Sequence, residues 1–116
     1  TELYMKPSLP LPTEKKLTVI FRVEPGSLGP NGPTQAQAFC LQAESQFSLM
    51  DADFIHWQII PRFDKSLAEL EYAVGNKRLS QEQAQQYLKV FGQDLHEVED
   101  HLISEISRLI GLHQTR

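Results

Sequence analysis

One apolar stripe runs through residues 80–110 without changing phase, and a chain that carries it must supply a core for it to lie on. Ala84, Leu88, Phe91, Leu95, Val98, Leu102, Ile106 and Leu109 recur at helical spacing. At about 100° per residue they all fall within about 40° of a common line. Ser80 and Gln83 form a capping box that opens the run. The phase carries straight across Gly92, which an independent second helix has no reason to preserve, so the spacing predicts one long helix. Asp94 and Glu97 offer a cap for a restart, and a kink at Gly92 stays open.

Helix length has a consequence for assembly. Unbroken, residues 80–110 would span roughly 46 Å at about 1.5 Å per residue. A compact chain of this size has a diameter of roughly 35 Å. One end would overhang its own domain, and the same helix of a second copy is the simplest cover. Leu95, Val98, Leu102, Ile106 and Leu109 are therefore the expected self-interface of a homodimer.

Upstream the periodicity changes to two. In Leu17–Val23 the side chains of Leu17, Val19, Phe21 and Val23 share one face, with Thr18, Ile20 and Arg22 on the other. Pro25-Gly26 ends this strand, and a Gly- and Pro-rich stretch leads to Pro33 as the first position of a helix reaching about Ser48. A second strand covers 54–60: Ile55, Trp57 and Ile59 point one way, and Phe54, His56, Gln58 and Ile60 the other. Pro61 closes that strand or places it near an edge. Strand, helix, strand in this order implies a parallel pair. Residues 66–79 carry both a capping box (Ser66, Glu69) and an alternation (Leu70, Tyr72, Val74) ending in the tight turn Gly75-Asn76. A two-stranded sheet is too small to cover a core, which favours a strand here, paired antiparallel to the second. The fold expected is α+β: a small sheet in β-α-β-β-α order, helices on one face, and a long C-terminal amphipathic helix.

Residues 1–16, with three prolines in KPSLPLP, read as a strap of extended, polyproline-like chain, and residues 17–116 as one domain. Pro7-Ser8-Leu9-Pro10 has the form of a PxxP ligand, a match common by chance. No secretory leader or membrane span is expected, because the most apolar early run is the short strand containing Arg22. A cytoplasmic protein is the default reading.

Charge and motif content narrow the function classes. At 41% hydrophobic and 22% charged residues the chain has a globular composition. The net charge of −4, with six acids against three basic residues in 81–116, argues against nucleic acid. Cys40, alone in an apolar helical setting, excludes an intramolecular disulfide and reads as a small core hydrophobe. Gly26-Ser-Leu-Gly29-Pro-Asn-Gly32 lies where phosphate loops lie, yet lacks their spacing and their lysine. His96 and His101 are five apart, on different helix faces, so they do not make a shared metal site. No cofactor or metal is expected. The one polar set with chemical potential lies on the second face of the sheet and just beyond it: Arg22, His56, Gln58 and Arg62. There the arginines would clamp an anion beside a histidine acid–base. The sequence thus favours a non-catalytic, dimeric interaction or regulatory protein, with a protein partner, and keeps an anion-binding protein or enzyme built on that set as the alternative.

Overall fold

The strand that alternates most cleanly, β1 (Leu17–Val23), stands inside the sheet, with a neighbour on each side. The computed structural model describes residues 11–114. After β1 come α1 (Gly32–Phe47), β2 (Ile55–Pro61), β3 (Leu70–Val74), β4 (Lys77–Leu79), α2 (Gln81–Lys89) and α3 (Leu95–Gln114). The strands form one mixed sheet in the order β2-β1-β3-β4, so the fold is α+β. β1 and β2 are parallel, with Val19 level with Trp57, and β3 runs antiparallel to β1 with Tyr72 beside Val19.

One core holds the layers together. Leu17, Val19, Phe21 and Val23 of β1, Ile55, Trp57 and Ile59 of β2 and Tyr72 of β3 meet buried side chains from all three helices. The helices therefore share one face of the sheet. Cys40 lies in this core, and burial, then the charge of Glu44, pushes its thiol up to about 12. Tyr72 is fixed by donating its hydroxyl hydrogen to Glu99 of α3, to which Gln81 also donates at 3.0 Å. Burial first, and this bond second, hold the phenol protonated well above its ordinary range.

Two expectations are corrected. The third strand pairs with β1, not with β2. A hairpin requires a short loop, whereas the link 62–69 is long enough to cross the end of β1, where Arg22 N–H donates to the Glu69 carbonyl (2.8 Å). Gly75-Asn76 does turn the chain tightly, into β4, a strand too short for its alternation to register in the sequence.

The long helix is two helices. Ser80 and Gln83 form the expected capping box, but α2 ends at Lys89 and α3 starts at Leu95. Gly92 has φ +72°, its N–H donates to Lys89 O (3.0 Å), and the Gln93 N–H donates to Leu88 O (3.0 Å). That is a Schellman stop, with glycine at the left-handed position. Gln85 then accepts the Leu95 N–H at 2.8 Å and ties the restart to α2. The stripe keeps its phase because both helices face the same core. Overhang no longer follows: Leu95, Val98, Leu102 and Ile106 are buried in the chain's own core, and Leu109 is packed against it.

Residues 1–10, which hold most of the expected strap and the PxxP match, lie outside the described residues. Leu11 is buried, and its N–H donates to Asp53 O at 3.0 Å. No helix among the described residues is long and apolar enough to cross a membrane.

Candidate functional site

The polar set singled out in the sequence does not converge. Along the open face His56 is level with Thr18, Gln58 with Ile20, and Ile60 with Arg22. Arg22 and His56 are thus separated by roughly 13 Å, four residues at about 3.3 Å each. Arg22 is buried and committed: Nη1 donates to the Glu71 carboxylate (2.5 Å) and to the Ala68 carbonyl (2.7 Å). Its Nε is a buried donor without a hydrogen-bond partner among the described residues. Arg78 from β4 binds the other oxygen of Glu71, and the two arginines, Arg22 first, hold that carboxyl below its ordinary range.

Arg62 turns back onto its own loop. It donates to the carbonyls of Leu67 (2.9 Å) and Lys65 (3.2 Å) and to Glu24 (3.4 Å), which Lys65 also meets. Both guanidinium groups satisfy carbonyls of the 62–69 crossing, a segment with few backbone partners of its own. Sequence reasoning found Arg22 and Arg62 but missed their partners, because Ala68, Glu71 and Arg78 reach them only through the β1–β3–β4 pairing.

A groove between α1 and α3 has an apolar floor of Phe39, Ala43 and Leu109. At about 210 Å³ it falls below the usual range for a small-molecule site. His113 closes one end, edge-on to Phe39 and hydrogen-bonded to Gln35 at 2.9 Å.

No family model, curated protein or solved structure matches this chain.

The sheet has two edges of different character. β4 is three residues long and exposes Lys77 and Arg78, a charged end that resists strand addition. β2 is seven residues long and carries no charged side chain. Leu17 N–H donates to Phe54 O and Arg62 N–H to Val23 O, so the even-numbered residues of this stretch direct their backbone groups at β1. By alternation Ile55, Trp57 and Ile59 direct theirs outward. Pro61 also falls on the outer side, where its missing N–H removes no ladder bond.

Of the outward groups, the Ile55 N–H closes a turn on Asp51 O (2.9 Å). The Ile59 N–H donates to the Glu44 carboxylate of α1 at 2.8 Å. The carbonyls of Ile55 and Trp57 and the Trp57 N–H lie along an open groove of about 350 Å³ between β2 and α1, and the Ile59 carbonyl continues the outward row beyond it. Leu41, 72% exposed, forms part of its helix wall, with Ser45 and Ser48. The sequence offered one signal for this edge, Pro61. Glu44 carried none, since its reach to β2 depends on how α1 lies over the sheet.

Proposed function

We propose that this chain is a non-catalytic interaction protein whose working surface is the outer edge of β2, which takes up an extended segment of a partner chain as an added strand. The observation that carries the reading is the Glu44–Ile59 bond. A side-chain carboxylate occupies an outward strand N–H where the carbonyl of a neighbouring strand would sit. The difference between the two edges supports it, because long uncharged edges are the ones that accept further strands. The buried, free Cys40 is in keeping with a reducing, cytoplasmic setting.

The alternative, an anion site or catalytic centre on Arg22, His56 and Arg62, has less support. Both guanidinium groups are engaged within the fold, and His56 stands far from Arg22.

An amide-resolved titration tests the proposal. Extended peptides are selected from a display library against the intact chain, and a binder is titrated into isotope-labelled protein. The expected perturbation centres on the Trp57 and Ile59 amides. A set of binders that all centre on the α1–α3 groove, or on helix surfaces, rejects the edge.

A further inference from the structure

We infer that the natural occupant of the β2 edge is β2 of a second copy, joined antiparallel about a two-fold axis at Trp57 so that two four-stranded sheets become one. This rests on the edge reading above and adds the identity of the partner. The backbone pattern is self-complementary at that register. With Trp57 opposite the second copy's Trp57, each N–H faces the other's carbonyl, a hydrogen-bonded pair. Ile59 then falls opposite the second copy's Ile55, so the Ile59 N–H meets the Ile55 carbonyl, which has no partner among the described residues, and the symmetric bond forms on the other side. The Ile55 N–H needs no new partner, being closed on Asp51.

Side chains agree with the same register. On the helix-free face His56 falls opposite the second copy's Gln58, polar against polar, and each pair occurs twice by symmetry. His56 and Gln58 form a non-hydrogen-bonded pair, in which side chains come closest. Ile60, 36% exposed, shares this face, whereas the Phe54 ring packs on Phe91 of its own chain, 5.4 Å between centroids, and stays out of the seam. A chain of net charge −4 repels its copy over most of its surface, but β2 itself carries no Asp, Glu, Lys or Arg, and the groove beside it has one charge of each sign, Lys16 and Glu44. A slip of one residue would bring core-face and open-face side chains together, and a slip of two would set His56 against Ile60 or against a second His56 in place of Gln58.

Glu44 is the element that must move. Its carboxylate holds the Ile59 N–H in the single chain, and the second copy's Ile55 carbonyl replaces it. Association is therefore a competition between an internal acceptor and an incoming one. Glu44→Ala removes the internal acceptor and should tighten self-association by about tenfold, the equivalent of one to two net hydrogen bonds.

The test uses the intact chain and its solution mass by sedimentation, with a charge exchange at the seam. The wild-type chain is expected to have the mass of two copies. A His56→Glu, Gln58→Glu chain sets carboxylates opposite each other and should be monomeric. A His56→Lys, Gln58→Lys chain should be monomeric for the same reason, and an equimolar mixture of the two should recover the double mass. All four substitutions fall at half-buried or exposed positions, so the core is untouched. A monomeric wild-type chain at millimolar concentration overturns the inference, as does a carboxylate variant that still doubles. If the wild type is monomeric while a selected peptide still perturbs the Trp57 amide, the second copy is the wrong occupant and strand addition stands. If neither occurs, both readings fall.

Discussion

Glu44 of α1 accepts the outward-pointing N–H of Ile59 in β2 at 2.8 Å, so a helix side chain closes part of a sheet edge that no strand among the described residues closes. A buried or half-buried strand N–H without a partner is costly, and charged acceptors make the stronger bonds. Removing the carboxylate by Glu44→Ala should cost the single chain about 1 kcal/mol, since Glu44 is partly solvated. Amide exchange at Ile59, measured at a concentration where the chain is dilute, should speed up while exchange at the inward-facing Gln58 stays slow. Equal acceleration at both amides would mean that Glu44 supports the strand as a whole and does not guard its edge.

Glu44 also raises the thiol one helical turn before it, after burial has done most of that work. With its pKa at about 12, Cys40 carries almost no thiolate near neutrality. A thiol reagent at about pH 8 should label the native chain only as fast as it unfolds and should label fully in denaturant. Labelling of the native chain at the rate of free cysteine would contradict the placement of Cys40 in the core.

Two glycines are required for different reasons, and alanine separates them. A Cβ on Gly32 would lie 1.7 Å from the Pro25 carbonyl oxygen, where the 3-10 turn of Pro25–Leu28 packs on the start of α1. No atom of the described residues lies within 4 Å of a Cβ on Gly92, whose constraint is its positive φ. Gly92→Ala should cost about 1–2 kcal/mol, the left-handed penalty alone. Gly32→Ala should cost about 3 kcal/mol or more, because backbone has to shift. Denaturant midpoints of the two variants measure the difference, and a smaller loss at Gly32 would rule out that close approach.

Arg22 fastens the 62–69 crossing from below, through Ala68 and Glu71. Arg22→Met should cost about 2 kcal/mol, less than a fully buried pair, because Glu71 keeps Arg78 and some solvent. The pH dependence follows from the sign of the shift. Glu71 is depressed in the folded chain, so its contribution is complete above its ordinary 4.5 and is lost as pH falls through the lower folded value. The wild type should lose stability below about pH 4.5, and the variant should lose less over the same window. Parallel pH profiles for the two would dissociate Arg22 from Glu71.

Periodicity carried most of the fold into the sequence, and it failed where two arrangements share one pattern. Ile55 to Ile59 alternate because one sheet face is buried there, and Leu17 to Val23 keep the same period in their core side chains although Ile20 and Arg22 are buried as well, so strands and faces were readable. The stripe from Ala84 to Leu109 reads the same for one helix as for two on one core, and only the Gly92 backbone separates the cases. Strand order was not readable, because β3 reaches β1 through contacts of residues distant in the chain. That order decides which strand becomes an edge. The candidate surface was therefore signalled by Pro61 alone, while Arg22 and Arg62, conspicuous as charges, proved to be ties within the fold.

The most direct measurement is hydrogen exchange at the Trp57 amide over a range of protein concentrations. Its N–H points outward on β2 and has no acceptor among the described residues, so in a lone chain it should exchange quickly. Protection at Trp57 is expected to rise with concentration, in step with solution mass, while the inward-facing His56 and Gln58 amides remain protected throughout. Exchange at Trp57 that stays fast and independent of concentration, whatever the mass does, would contradict it.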